Sequence, residues 1–292
     1  MPRKKRVKGD RETISFRDLQ VLDFICRFGV VNRTAVQWWA ETGRSVTLDR
    51  ERRLREAGLI SAHPPIGLSG PLLAITRRGL RLADRAELGP ARVSVWSVNH
   101  SIVCAQLAAH MERSGDEVLS ERELLAEERK FGDRCYSASQ PERGWHRPDL
   151  YRFTLEGEEP QEHAVEVELT AKAPERLVGI LEAWQAHKMR NPRGREMIQP
   201  SKETPHWILY LCAPNVVAHV KRAVKKAGAD WCVSVQELWF DHSPFARPES
   251  QPSGGLGADR RPPEGVGAKP LDGRAAAATV AARSGRGEVR QR

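Results

Sequence analysis

Long apolar runs are missing from this chain. No stretch of about 18 apolar residues occurs, so no membrane-spanning helix is expected. The opening segment, MPRKKRVKGDRE, is basic but leads into no apolar core, so it does not read as a secretory signal. Cysteine is also sparse. The five cysteines (Cys26, Cys104, Cys135, Cys212, Cys232) are scattered, odd in number and without a Cys-x-x-Cys pair. That spacing argues against a disulfide scaffold or a zinc site, and for reduced structural thiols in a cytoplasmic protein.

Charge is plentiful and unevenly placed. The net charge is +9 over 292 residues. From Met1 to Trp96 there are 19 Lys/Arg against 10 Asp/Glu, and from Ala246 to Arg292 there are 9 against 5. The middle carries 19 against 23. A basic first third joined to a mildly acidic middle suggests that the first part holds a polyanion.

Read in order, the chain begins with a basic arm, 1–11, whose RKKRVK cluster suits a solvated segment or an arm lying along phosphate. From Ser15, apolar residues at Phe16, Leu19, Val21, Leu22, Phe24 and Ile25 recur at helical spacing until Gly29. Ser15 suits the N-cap. A second short helix spans Asn32 to Ala40, and a third runs from about Val46 to Ala57, with Leu48 and Leu54 inward. Two short strands, Leu59–His63 and Leu72–Ile75, flank a Pro/Gly turn. Thr76 then caps a helix over 77–85.

Three helices, a β-ribbon and a following helix predict a winged helix-turn-helix over 12–96. The third helix would enter the major groove of double-stranded DNA. Arg44, Ser45 and Thr47 at its N-terminal end, with Arg50, Arg52, Arg53 and Arg55, would contact phosphates and base edges. The turn around Ile66 to Pro71 would touch the neighbouring backbone. Val98 to Glu112 predicts a helix in a 97–116 linker that joins two domains or forms a homodimer contact.

The second domain, 117–245, reads as α/β with a mixed sheet, which makes the whole chain α+β. Val118 to Leu125 is a strand running into a capped turn or helix, and 127–144 looks like polar loop. The stretch HRPDLYRFTLEGEEPQEHAVEVELTAK, from His146 to Lys172, predicts a hairpin. On its return strand Val165, Val167 and Leu169 share one face, and Glu166 and Glu168 share the other, roughly 7 Å apart. An antiparallel strand often carries glutamates on a solvated face. Alternatively, Asp149 at the start of the partner strand closes on them, and the oxygen-rich group suits Mg²⁺ or Mn²⁺. A helix follows from Pro174 to Met189 with Trp184 inward, then a strand at His206–Cys212, a basic helix at 215–227 and a strand at 231–239. This order implies parallel neighbours. The tail, 246–292, is rich in Gly, Pro, Ala, Ser and Arg and is expected to be disordered.

A winged helix followed by Arg147-Pro148-Asp149-Leu150, by Val165-Glu166-Val167-Glu168-Leu169-Thr170 and by Trp207-Ile208-Leu209-Tyr210-Leu211 resembles the replication-relaxation family, over roughly residues 10 to 240. The resemblance implies a DNA-binding protein of a plasmid or integrative mobile element. Its role would lie in replication or mobilisation, beside a relaxase or replication initiator. The second half is also similar to the PD-(D/E)xK nuclease superfamily. There, a Pro-Asp on one strand and an acid on the next bind the metal, and a lysine two residues beyond that acid polarises the attacking water. By that resemblance Asp149 and Glu166 are metal ligands, with Glu121 or Glu123 as the early acid; Glu168 joins them only on the strand-face reading above. The chain departs from the pattern, because Glu168 and Thr170 stand where the lysine belongs. Lys172 or Lys188 would have to supply it, or the site is inert. The reading from another class is a winged-helix transcription regulator with an α/β dimerisation or sensing domain.

Overall fold

A computed structural model describes residues 14–65, 71–134, 136–140, 144–156, 159–186 and 208–238. The basic arm, most of the expected wing turn, Cys135, Lys188 and the Arg-rich tail lie outside these residues.

Helix α1 (Phe16–Phe28) starts on a reciprocal cap. The Ser15 hydroxyl accepts from the Asp18 backbone N–H, and the Asp18 carboxylate accepts from the Ser15 N–H. The helix stops at Gly29, whose φ of +76° suits a residue without a Cβ. A Cβ there would also come within 2.7 Å of the Arg122 guanidinium. Phe16, expected on the buried face, is instead exposed, since the first turn projects beyond the core.

A short strand that the sequence pattern did not suggest, β1 (Val30–Asn32), comes next. Asn32 then caps α2 (Arg33–Ala40), and α3 (Arg44–Glu56) follows. Strands β2 (Ile60–His63) and β3 (Leu72–Ile75) pair as expected, and β1 joins the far edge to give an antiparallel sheet in the order β1-β3-β2. Thr76 caps α4 (Arg77–Leu82), and its hydroxyl also donates to the Leu59 carbonyl. Gly79 packs so tightly that a Cβ would sit 2.2 Å from that carbonyl, so no larger residue fits.

Helix α5 (Val98–Arg113) was expected as a linker. It is instead a central packing element, with Ile102, Val103, Ala105, Leu107, Ala108 and Ala109 buried. It packs on α2, β1 and β4 (Glu117–Ser120). Its apolar face is therefore used inside the chain. Ser120 and Glu123 form a second reciprocal cap that launches α6 (Glu121–Phe131). The segment expected as polar loop holds the last turn of this helix and most of a small hairpin, β5 (Ala138–Gln140) with β6 (Gly144–His146).

The main sheet has the order β10-β9-β8-β7-β4. Strands β7 (Leu150–Glu156) and β8 (Glu159–Glu168) form the expected antiparallel hairpin. Beyond it, β9 (Ile208–Cys212) and β10 (Val233–Glu237) run parallel to β8, with α7 (Pro174–Ala186) and α8 (Val217–Ala227) between. The protein is thus mixed α+β. Strand β9 is apolar throughout because both of its faces are covered. On one face Val165, Val167, Leu209 and Leu211 share a core with α1 and α5. On the other, Ala164, Tyr210 and Cys212 pack with Trp184 of α7 and Val220 of α8. The first core runs from Val21 to Leu238, so the two segments read as separate domains share one apolar interior. No helix among the described residues is long and apolar enough to cross a membrane.

Candidate functional site

The register of the hairpin sets Leu150 opposite Val165, which brings Asp149 alongside the Glu166–Val167 step. Asp149 Oδ2 accepts from the Val167 backbone N–H at 2.8 Å and lies 3.2 Å from His100 Nε2. Burial pushes this carboxyl up, but the His100 hydrogen bond and charge and the Val167 N–H outweigh it and hold it below the usual aspartate range. Strand alternation sends Glu166 and Glu168 to the face covered by α7.

Neither glutamate is solvated: Glu166 is 1 % exposed and Glu168 is 3 % exposed. A solvated glutamate face is therefore excluded, because α7 and α8 cover it. Trp184 Nε1 donates to Glu166 Oε1 at 3.1 Å, and His146 Nε2 lies 2.7 Å from the same oxygen. Lys172 Nζ donates to Glu168 Oε1. Burial nevertheless raises Glu168 above the usual carboxylate range, with Glu166 and Asp149 adding to the rise against the pull of Lys172. Burial opposes the charge on Lys172, but Glu166 and Glu168 raise it.

The Tyr210 hydroxyl sits in the same surroundings. It is fully buried and has no hydrogen-bond partner among the described residues. Burial and then the charges of Glu166, Glu168 and Asp149 push it well above the ordinary tyrosine range. Buried carboxylates and a hydroxyl are donor types that suit a hard divalent cation such as Mg²⁺ or Mn²⁺. Asp149, Glu166 and Glu168 do not, however, together form a set of ligand atoms within 4.8 Å of one another among the described residues. Glu166 and Glu168 would hold such an ion from the α7 face and Asp149 from the strand end.

Glu121 stands apart from this face. Its side chain is 57 % exposed and lies 3.6 Å from Arg147, and its backbone N–H donates to the Asp149 carbonyl. Burial and then the Asp149 charge raise its carboxyl above the ordinary glutamate range. Glu123, the other early acid, is committed to Ser120 and to Arg27 and Arg85. Among the described residues, a set of His, Cys, Asp or Glu with ligand atoms within 4.8 Å of one another comprises His100, Cys104 and Asp149. Sequence reading passed over His100, Cys104, His146 and Tyr210. The available signals were the four-residue step from His100 to Cys104 and the histidine just ahead of the Arg-Pro-Asp motif.

The arginines of α3 divide by face. Arg53 grips the buried Asp18 with two nitrogens, at 2.7 and 3.1 Å, and Arg50 lies 3.7 Å from the same carboxylate. Burial raises Asp18, but the Arg53 and Ser15 hydrogen bonds outweigh it and leave it below its ordinary value. Thr47, expected near DNA, is 1 % exposed and turned to the Gly43 carbonyl and Thr42, so it is a packing residue. Leu48, expected inward, lies on the outer face instead. That outer face presents Arg44, Ser45, Leu48, Arg52 and Arg55. Arg52 pairs with the exposed Asp49, and the exposed Arg55 lies 3.8 Å from Glu51, a buried carboxylate that Arg33 also holds. No family model, curated protein or solved structure matches the chain.

Proposed function

We propose that the chain is a DNA-binding protein of a plasmid or integrative mobile element, acting in replication or mobilisation. Its first part is a winged helix, and its second part is a nuclease-like unit that takes a divalent cation. The observation that carries the reading is the pairing of β7 and β8: a Pro-Asp leads into one strand, and a buried Glu166 stands beside Asp149 on the next.

The exposed face of α3 supplies the complementary half. Arg44, Arg52 and Arg55 reach solvent together and would meet phosphate and base edges, while Arg50 and Arg53 orient the helix from within. Double-stranded DNA is the partner this face suits, with a relaxase or replication initiator acting on the same DNA.

Asp149, Glu166 and Glu168 would hold Mg²⁺ or Mn²⁺. The ion would supply polarisation of a phosphoryl oxygen and a lower pKa for a water. The chain's own residues have separate tasks. Lys172 sets a positive charge beside Glu168 where negative charge would develop. His146 and Trp184 fix the orientation of Glu166. The α7 cover keeps bulk water away from the acids.

The test is cleavage of supercoiled plasmid in Mg²⁺ or Mn²⁺, with wild type beside Asp149→Asn and Glu166→Gln. Nicking by wild type that both substitutions abolish is the expected result. Wild type that binds DNA without nicking it would reduce the second unit to an inert scaffold. A winged-helix transcription regulator is the second reading. It is favoured by the hydrogen bonds already made by Glu166 to His146 and Trp184, which would also satisfy a purely structural acid.

A further inference from the structure

We propose a second metal site, specific for a borderline-soft ion such as Zn²⁺, formed by His100 and Cys104 of α5 with Asp149 at the mouth of β7. This site shares Asp149 with the nuclease-like reading, but its His100 and Cys104 ligands lie outside that reading and do not depend on it. A helix brings residues four apart onto one face, so His100 and Cys104 project together. Cys104 Sγ lies 3.7 Å from His100 Nδ1, and His100 Nε2 lies 3.2 Å from Asp149 Oδ2. Zn–S bonds of about 2.3 Å and Zn–N or Zn–O bonds of about 2.0–2.2 Å place tetrahedral ligands about 3.3–3.7 Å apart. Those two contacts use opposite nitrogens of the ring, so an ion would take only one of them. One ligand atom from each of the three residues lies within 4.8 Å of the others, and the side chains would close the remaining gap on binding.

A pocket opens onto the same three side chains. Its wall includes Ser120, Glu121 and Arg122 as well as His100, Cys104 and Asp149. An ion bound here would have an approach from outside and a fourth position facing Glu121 or water. Arg27 also lines the pocket, but its guanidinium is already engaged by Glu112 and Glu123.

Donor type separates this site from the acid face across β8. A thiolate and an imidazole suit Zn²⁺, whereas carboxylates alone suit Mg²⁺ or Mn²⁺. Bound zinc would tie α5, which carries the first core, to the strand that carries Asp149. The absence of a Cys-x-x-Cys pair hides such a site in sequence, because its ligands come from one helix turn and a distant strand.

The experiment strips the full chain of metal with a chelator, adds one equivalent of Zn²⁺, desalts, and counts zinc by mass spectrometry. A parallel sample receives Co²⁺ and is read for a thiolate-to-cobalt absorption band. Wild type is expected to keep one zinc per chain and to show the band. Cys104→Ser and His100→Gln are expected to weaken zinc at least tenfold. A variant with Cys26, Cys135, Cys212 and Cys232 changed to Ser is expected to keep it. Wild type without the band overturns the proposal whatever the variants' folding, as does zinc that survives both Cys104→Ser and His100→Gln. Glu166→Gln leaves the zinc ligands in place and is expected to retain zinc even where plasmid nicking is lost. Zinc without nicking would leave this site standing and remove the nuclease activity. Nicking without zinc would do the reverse.

Discussion

Two regions of this protein bury acids, and they balance them differently. Around α1 and α3 each buried carboxylate meets a guanidinium. Asp18 is held by Arg53 and Arg50, and Glu123 by Arg27 and Arg85. Across β7 and β8, Asp149, Glu166 and Glu168 have Lys172 and the imidazoles of His100 and His146, and the Tyr210 hydroxyl has no partner among the described residues. The pKa directions follow only in part. Asp18 and Glu123 are lowered by their arginines and Asp149 by His100 and the Val167 N–H, whereas burial raises Glu168 despite its lysine. An acid fully answered by arginine is explained by folding alone. An acid that stays uncomfortable in a closed fold calls for something to neutralise it.

The largest effect expected from breaking this contrast is at Arg27. Arg27→Ala leaves Glu112 and Glu123 facing each other in the interior and should cost about 3–5 kcal/mol in denaturant unfolding, if the variant folds at all. A loss below 1 kcal/mol would mean that these acids are not balanced by Arg27.

Asp18→Asn comes next. It weakens the α1 cap and removes the carboxylate charge that faces Arg53 and Arg50, at a cost of about 2–3 kcal/mol at neutral pH. Because the folded carboxyl sits below its ordinary value, this contribution is present above about pH 4 and disappears as pH falls through the lowered pKa. Wild type and variant should therefore converge in acid. A gap that stays constant down to that range would remove the ionic part of the argument.

The outer face of α3 gives a smaller, DNA-dependent effect. Replacing Arg44, Arg52 and Arg55 with Ala should lower the slope of log affinity against log salt by about 2–3, with little change in stability. An unchanged slope would exclude this face as the DNA reader.

Glu168→Gln is expected to change stability least. A raised folded pKa means that wild type loses stability as pH climbs from about 4.3 through that raised value. Removing the charge relieves that penalty while breaking the Lys172 pair, so the net change at pH 7 should stay within about 1 kcal/mol. A loss like that of Asp18→Asn would make the two regions alike.

Much of the fold is legible in the sequence because local signals carry it. Ser15, Asn32 and Thr76 cap helices where capping chemistry places them, and the β7–β8 hairpin follows from strict alternation. What local pattern does not show is what covers each face. Glu166 and Glu168 read as acids on a strand face, but only the packing of α7 makes them buried. The arginines of α3 read as one basic set, yet Asp18, distant in sequence, divides them. Strand β1 is too short to show periodicity, and α5 looks like a linker until two cores close around it. The group of His100, Cys104 and Asp149 depends on a contact across almost fifty residues, which no spacing rule reaches.

The contrast rests on the acids of β7 and β8 being kept for a cation, and calorimetric titration of Mn²⁺ into wild type and Glu166→Gln tests that claim most directly. One Mn²⁺ per wild-type chain, lost in Glu166→Gln while circular dichroism is unchanged, is the predicted result. Wild type that takes up no Mn²⁺, or a variant that binds it equally well, would contradict the account and make these acids as structural as Asp18.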